Sequence, residues 1–374
     1  MKRLGIVVSH PIQYYSPLFR YLAKHIDLVV FYCHNPSDEE IGQDGFGIKF
    51  KWDIDLLSGY KYIYLKNIST HPSLSKYAGC DTPEIGSVLK ENGITHVVII
   101  GWYLKSFIQA LLQSKKAGIK VSVRGDSQLN PNEPFYKRLL KKNLYRFLIR
   151  KYDSLLYVGE RNKKYLIEYG AKQSQLIFAP HAVDQSFWIP NSTECINQNK
   201  DNVIFIWAAK FIEKKRPFDA IEAFIAAHKH NPTIELWMIG SGELLEQAKK
   251  MAGNHNAIKF MGFKNQTELK SLLPQAHFLL LTSDFGETWG LIVNECFSMQ
   301  LPAIVSDACG ASEDLIEDGI TGYKYKMGNV IDLQNKILKI SVLHTSSFRK
   351  GLEQKNKIYS YEENTNAFKQ FMNQ

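Results

Sequence analysis

The stretch Ser283-Asp284-Phe285-Gly286-Glu287-Thr288-Trp289-Gly290-Leu291-Ile292-Val293-Asn294-Glu295 decides how this chain is read. It joins a β-type apolar run, Phe278–Leu281, to a helical pattern, Leu291–Met299. Small residues at such a junction leave backbone N–H groups at a helix start, and the helix dipole turns them into an anion site. Glu287 and Glu295 bracket the turn with seven residues between them. The first belongs to the loop; the second lies one turn into the helix and points back toward it. Carboxylates accept hydrogen bonds from vicinal hydroxyls, so two of them beside an anion site suit a sugar nucleotide. A helix cap followed by a solvated acid would satisfy the same residues.

The neighbouring strand ends favour the first reading. After Val203–Trp207 comes Ala208-Ala209-Lys210-Phe211-Ile212-Glu213-Lys214-Lys215-Arg216-Pro217, whose cations can neutralise a departing diphosphate. A solvated basic loop is the plainer account of that run. After Ile234–Ile239 comes Gly240-Ser241-Gly242, which lets a backbone approach a phosphate; no third glycine completes a dinucleotide fingerprint. Met261-Gly262-Phe263 ends the next strand and offers backbone groups to a base. Four strand ends therefore aim phosphate-, ribose- or base-compatible groups at one sheet edge.

Strand-like runs alternate with amphipathic segments from end to end. In the first half the runs are Leu4–Val8, Asp27–Phe31, Tyr62–Leu65, His96–Ile100, Lys120–Val123, Ser154–Val158 and Gln175–Phe178. The polar, breaker-rich stretch from Pro180 to Lys200 interrupts the series and reads as a linker. After Tyr323 two helical patterns close the chain. The expected fold class is α/β, with two doubly wound Rossmann-like domains facing a central cleft. The expected boundaries are 1–190, 191–355, and a helix at 356–374 returning to the first domain.

The 374 residues carry 46 Lys+Arg against 37 Asp+Glu, a net charge of +9. Residues 1–190 hold 26 basic and 16 acidic side chains, so the excess belongs to the first half. Hydrophobic residues make up 45% and charged residues 22%, which excludes disorder and coiled coil for the whole chain. Five scattered cysteines lack metal-ligand spacing, and no apolar run is long enough to span a bilayer. A reduced, cytoplasmic setting is expected. Asp53-Ile54-Asp55 has the spelling of a metal-binding carboxylate pair but no sugar-nucleotide context, and is assigned to the surface.

The order Lys210…Lys215, Gly240-Ser241-Gly242, Met261-Gly262-Phe263, Glu287…Glu295 and Pro302-Ala303-Ile304-Val305-Ser306-Asp307 resembles the family-4 retaining glycosyltransferases of GT-B fold. In the first half, Ser9-His10-Pro11-Ile12-Gln13-Tyr14-Tyr15-Ser16-Pro17-Leu18 resembles a bacterial subset of that family, and Ala179-Pro180-His181-Ala182-Val183-Asp184 resembles its interdomain segment. The resemblance implies a donor-binding second domain and an acceptor-binding first domain. Lys210 and Lys215 would hold the diphosphate, Glu287 would contact the transferred sugar, and Glu295 would hold the ribose hydroxyls. Gly240, Ser241, Gly242 and Phe263, with Thr288, Trp289, Gly290 and Leu291, would complete the donor site. The donor would be a UDP-sugar, with GDP-sugar second, and neither cofactor nor metal is expected. The acceptor would be a glycan or a lipid-linked molecule. Lys210 stands where the family usually has Arg, and Arg216 where it usually has glycine.

On the acceptor side His10, Gln13, Arg124 and Asp126 are candidates. A structural histidine before proline, and a locally paired Arg124 with Asp126 as a cap, explain the same residues. The segment from Phe135 to Tyr152 holds seven basic residues and no acid, with apolar residues at 135, 139, 140, 144, 147 and 148 in one helical stripe. That stripe is assigned to the core, leaving a basic rim for an anionic membrane surface or acceptor. Nucleic acid fits poorly, for want of a stacking platform or binding motif. Rival readings are a GT-B sugar-nucleotide epimerase, a Rossmann dehydrogenase resting on Gly240-Ser241-Gly242, and a non-catalytic scaffold that retains nucleotide binding.

Overall fold

A computed structural model describes residues 2–36, 52–131, 133–189 and 202–374; of residues 135, 137 and 140 it describes the backbone alone. The chain divides into two compact units. Unit 1 takes residues up to 36, residues 55–183 and Ser360–Gln374; unit 2 takes Asp184–Tyr359 with residues 52–54. The sequence reading places the divisions instead at 190/191 and 355/356. Pro190–Lys200, read as linker, and Cys195 lie outside the described residues.

Unit 1 holds a parallel sheet of seven strands among the described residues: β1 (Leu4–Val8), β2 (Leu28–Tyr32), β3 (Lys61–Tyr64), β4 (His96–Ile100), β5 (Lys120–Gly125), β6 (Ser154–Tyr157) and β7 (Leu176–Phe178). Their spatial order is β3-β2-β1-β4-β5-β6-β7. Apolar residues run continuously because both faces are covered. Val7, Val29, Phe31 and Val97 enter the core on one face, while Ile6, Val8, Val30 and Val98 enter the core on the other. The C-terminal helix Tyr361–Met372 contributes fully buried Phe368 and Phe371 to that second core, and Asn364 Nδ2 donates to the carbonyl of Pro180 at 2.9 Å.

Unit 2 holds six described parallel strands: β8 (Val203–Ala208), β9 (Ile234–Ile239), β10 (Ile258–Gly262), β11 (Phe278–Leu281), β12 (Ala303–Ser306) and β13 (Gly322–Tyr325). Their order is β10-β9-β8-β11-β12-β13. Strand order reverses between β8 and β11, whose C-terminal ends lie side by side; ligands bind at such a switch point in open α/β sheets.

Two expectations need correction. Gly322–Tyr325, not recognised as a strand, pairs in register with β12 at the sheet edge, and the expected two helical patterns resolve into three helices, Val330–Ser341, Arg349–Ile358 and Tyr361–Met372. The helix Phe135–Ile149 does not bury its whole apolar stripe. Leu139, Leu144 and Phe147 are exposed; Ile149 is buried, and Tyr145 and Leu148 are half-buried against the core. Period 3.6 identifies a stripe but not which side of the helix meets the protein.

Asp53 and Asp55 are exposed, as assigned. Asp53 accepts hydrogen bonds from the backbone and hydroxyl of Thr267, while Asp55 accepts from the backbone N–H groups of Leu57 and Ser58. Cys33, Cys80, Cys296 and Cys309 are buried thiols.

Candidate functional site

The C-terminal edge of the unit 2 sheet gathers the candidate donor residues. Lys215 lies in the turn after β8, on a single 3₁₀ turn, Glu213–Lys215. Its ammonium donates a hydrogen bond to Glu287 Oε2, and both side chains are largely buried. Ser283 Oγ also donates to that oxygen, at 3.3 Å. The turn is held from beneath: Trp207 Nε1 donates to Thr282 Oγ1 at 2.9 Å, and that hydroxyl donates to the carbonyl of Lys215 at 2.8 Å. Arg216 follows with φ +49°, a left-handed conformation that glycine adopts without strain. Its guanidinium pairs with Asp219 at 2.7 and 3.0 Å. Lys210 is half-buried just beyond the end of β8.

The loop after β11 carries Glu287. Asp284 Oδ1 accepts from the N–H of Gly286 at 2.7 Å, and the N–H of Asp284 donates to the carbonyl of Lys214 at 2.9 Å. Gly290 has φ +101° and packs against Leu281 and Cys309. Trp289 is buried, with Nε1 donating to Asn294 Oδ1 at 2.8 Å. Thr288 and Leu291 flank it in the approach to helix Ile292–Ser298.

Glu295 lies in that helix's first turn, 2% exposed. Its Oε1 has no hydrogen-bond partner among the described residues, and burial pushes its carboxyl up to about 8. An unpartnered buried carboxyl oxygen is costly to leave without a donor. Ligand hydroxyls would supply one.

The glycines of the loop after β9 answer first to protein backbone. Gly240 and Gly242 have φ +138° and +149°. A Cβ at 240 would lie 1.9 Å from the carbonyl oxygen of Ala209, and one at 242 would lie 2.5 Å from that of Phe211. Between them Ser241 accepts from the N–H of Phe211 at 2.9 Å. The loops after β8 and β9 are thereby laced together, which fixes the backbone beside Lys210. Phe263 follows Gly262, the last residue of β10, whose φ is +70°.

Sequence reading does not reach Cys309 and Gly310. The turn after β12 clamps the Glu287 loop. The N–H of Gly310 donates to the carbonyl of Glu287 at 2.9 Å, and that of Ala311 donates to the carbonyl of Trp289 at 3.0 Å. Cys309 Sγ also donates to Trp289, at 2.8 Å. A Cβ at 310 would meet Thr288 O at 1.7 Å, so only glycine fits there.

In unit 1, His10 Nδ1 lies 2.9 Å from Ser9 Oγ. Burial, followed by the nearby His34, lowers its pKa to about 4, which keeps the ring neutral. Gln13 is half-buried in the turn that precedes helix Ser16–Ala23. Arg124 is turned inward: Nη1 donates to Tyr15 Oη at 3.2 Å, and Nη2 donates to the carbonyls of Ala179 at 3.3 Å and Pro180 at 2.9 Å. With 1% of its surface exposed, Arg124 braces the 179–180 turn. Asp126 is half-buried, with Oδ2 3.8 Å from Nε2 of buried His181, whose imidazole is pushed down by burial.

Among the described residues no three His, Cys, Asp or Glu side chains gather to hold a metal ion. No described helix is long and apolar enough to cross a membrane.

Residues 190–358 match the family described as glycosyl transferases group 1. The chain is 27% identical over 173 residues to the GtfA subunit of a UDP-N-acetylglucosamine–peptide N-acetylglucosaminyltransferase from Streptococcus pneumoniae, covering 46% of this chain and 34% of that protein. It is 23% identical over 188 residues to a poly(glycerol-phosphate) alpha-glucosyltransferase of Bacillus subtilis, covering 50% of this chain and 27% of the relative. The chain thus spans about a third of the length of these curated relatives. The solved structure of Anabaena Alr3699/HepE in complex with UDP superposes with a TM-score of 0.74 at 13% identity, covering 100% of both chains. Both sheets, the strand order of each and these likenesses give one conclusion: the chain has the GT-B fold, and its residues 190–358 match the group 1 glycosyltransferases.

Proposed function

We propose that this chain is a retaining glycosyltransferase. It moves a sugar from a nucleoside-diphosphate sugar to a glycan or lipid-linked acceptor, in the synthesis of bacterial surface polysaccharide or glycoconjugate. The observation that carries the reading is the pairing of Lys215 with Glu287 at the sheet edge where Glu295 keeps an unpartnered buried oxygen. A cation, a carboxylate and an unpartnered carboxyl oxygen are what a diphosphate, a sugar and a ribose would each require.

In this reading the ribose hydroxyls donate to Glu295, Lys210 and Lys215 bind the diphosphate, and Glu287 contacts the transferred sugar. Backbone N–H groups from Thr288 to Leu291 add donors, and Phe263 stands at the base end. The bond from the anomeric carbon to the diphosphate breaks while the acceptor hydroxyl adds on the same face. The leaving phosphate oxygen takes the hydroxyl proton. The lysines supply countercharge without a metal ion. The UDP of the Anabaena complex supports a uridine donor, with guanosine second. A cytoplasmic enzyme meeting its acceptor at the inner face of the plasma membrane fits the basic first half.

The test is a thermal-shift screen of UDP-, GDP- and ADP-sugars, followed by product analysis in EDTA. One nucleotide class should stabilise the chain, and the product should keep the donor's anomeric configuration. Inversion, a strict divalent requirement, or turnover of donor without acceptor would overturn the reading, the last in favour of an epimerase.

A further inference from the structure

The helix Phe135–Ile149 presents four of its apolar residues to solvent. Tyr136 is 62% exposed, Leu139 53%, Leu144 57% and Phe147 60%. At 100° per residue these four fall within one arc of the helix, with Arg146 and Arg150 inside or beside it. The opposite face, through half-buried Tyr145 and Leu148 and fully buried Ile149, suffices to pack the helix on unit 1.

Four of the basic residues divide into two pairs. Lys141 pairs with Glu133, and Lys142 with Glu168 at 3.0 Å, so those charges are met within the protein. Arg146 and Arg150, on the apolar arc, have no acidic partner among the described residues. Lys151 lies over the exposed ring of Phe147, 4.4 Å from its centroid. No acid occurs between Phe135 and Tyr152.

We propose that this arc is a docking surface for an anionic lipid bilayer. Leu139, Leu144 and Phe147 enter the headgroup layer, with Tyr136 at its boundary, while Arg146, Arg150 and Lys151 meet lipid phosphates. Charge complementarity selects the occupant. A second copy of the chain docked by two-fold symmetry would set cation against cation. A soluble polyanion would use the cations and leave the apolar side chains in water. A bilayer interface takes both, because it offers anionic groups above an apolar layer within the reach of one helix diameter. The proposal rests on unit 1 alone and stands apart from the donor-site reading except in bringing the enzyme to a lipid-linked acceptor.

The experiment is flotation of the full chain with phosphatidylcholine vesicles and with vesicles carrying about one third phosphatidylglycerol. Binding to the anionic vesicles is expected, with little to the neutral ones. Arg146→Gln with Arg150→Gln should lower the partition by roughly ten- to thirtyfold. Leu139→Ser, Leu144→Ser and Phe147→Ser together should lower it more than about a hundredfold in the same buffer. These residues are exposed, so the melting temperature should hold, which separates lost docking from lost folding. UDP affinity, measured on the same samples, should be unchanged in every variant, so a failed donor site and a failed docking surface read out separately. The proposal is overturned if wild type stays with the unfloated fraction in anionic vesicles, including when it binds heparin, or if the triple serine variant floats like wild type.

Discussion

Lys215 Nζ donates a hydrogen bond to Glu287 Oε2, tying the turn after β8 to the loop after β11. Each charge is largely withdrawn from water and each is the other's compensation. Removing one partner leaves an unmatched buried charge, a larger loss than removing both. Lys215→Ala should lower kcat/KM by about a hundredfold or more, the scale for losing one preorganised donor to developing charge. Glu287→Ala should act mainly on kcat, with KM for the donor within a few fold. Lys215→Met combined with Glu287→Gln should melt above either single variant. Steady-state kinetics and thermal melts check all three, and wild-type turnover in either single variant would remove the pair from the chemistry.

The carboxyl of Glu295 makes donor binding depend on pH. Burial raises it to about 8, so at pH 7 it is mostly protonated before a ligand binds. Ribose hydroxyls donate best to the ionised form, so binding must release a proton. UDP affinity should therefore rise as pH goes from 6 to 8, by up to about tenfold per unit, and level off above. The same shift costs stability. Because its folded value lies above the unfolded one, this group's contribution to stability is most favourable below about 4.5 and is lost as pH rises toward 8. Glu295→Gln should flatten the affinity profile, weaken UDP at pH 8, and raise the melting temperature at pH 8 relative to wild type. A pH-independent wild-type affinity would contradict this.

Gly310 has ordinary helical dihedrals, φ −54° and ψ −45°, so alanine there would suffer no backbone strain. Where space allows, glycine to alanine stabilises by about 0.4–1 kcal/mol. Space does not allow it: the new methyl would lie 1.7 Å from the Thr288 carbonyl oxygen. Gly310→Ala should displace the Glu287 loop, costing about 1–3 kcal/mol and lowering kcat more than tenfold. Cys309→Ser keeps a donor to Trp289 and should retain most activity. An alanine variant that melts at or above wild type would disprove the clamp.

These residues show where sequence reasoning reaches and stops. Strands such as Leu4–Val8 and Phe278–Leu281 are legible because burial on both faces demands an unbroken apolar run. Gly322–Tyr325 is not, because a short edge strand with Lys324 between two tyrosines satisfies no run. Glu287 and Glu295 stand out through spacing within one loop and helix. Gly310 does not, since its constraint comes from Thr288, distant along the chain. The glycines at 240 and 242 are legible as glycines but not in their cause, which is the backbone of Ala209 and Phe211. Arg124 reads as a charged residue at a strand end, and the sequence cannot say that Tyr15 and the 179–180 carbonyls turn it inward.

That inward turn carries a prediction. Arg124 is buried with three oxygen acceptors and a cation–π contact to Tyr15 at 5.6 Å. Arg124→Met would take this donor from the carbonyl of Ala179 and leave that of Pro180 with Asn364 alone, each lost bond worth about 1 kcal/mol. Stability should fall by about 2–3 kcal/mol. Arg124→Lys keeps the charge, but one ammonium cannot span the fork, so it should recover only part of the loss. UDP affinity should stay at the wild-type value in both, because every candidate donor residue lies in unit 2. Denaturant titration beside UDP binding separates the outcomes. A stable Arg124→Met with impaired transfer to acceptor would instead return this residue to the acceptor site.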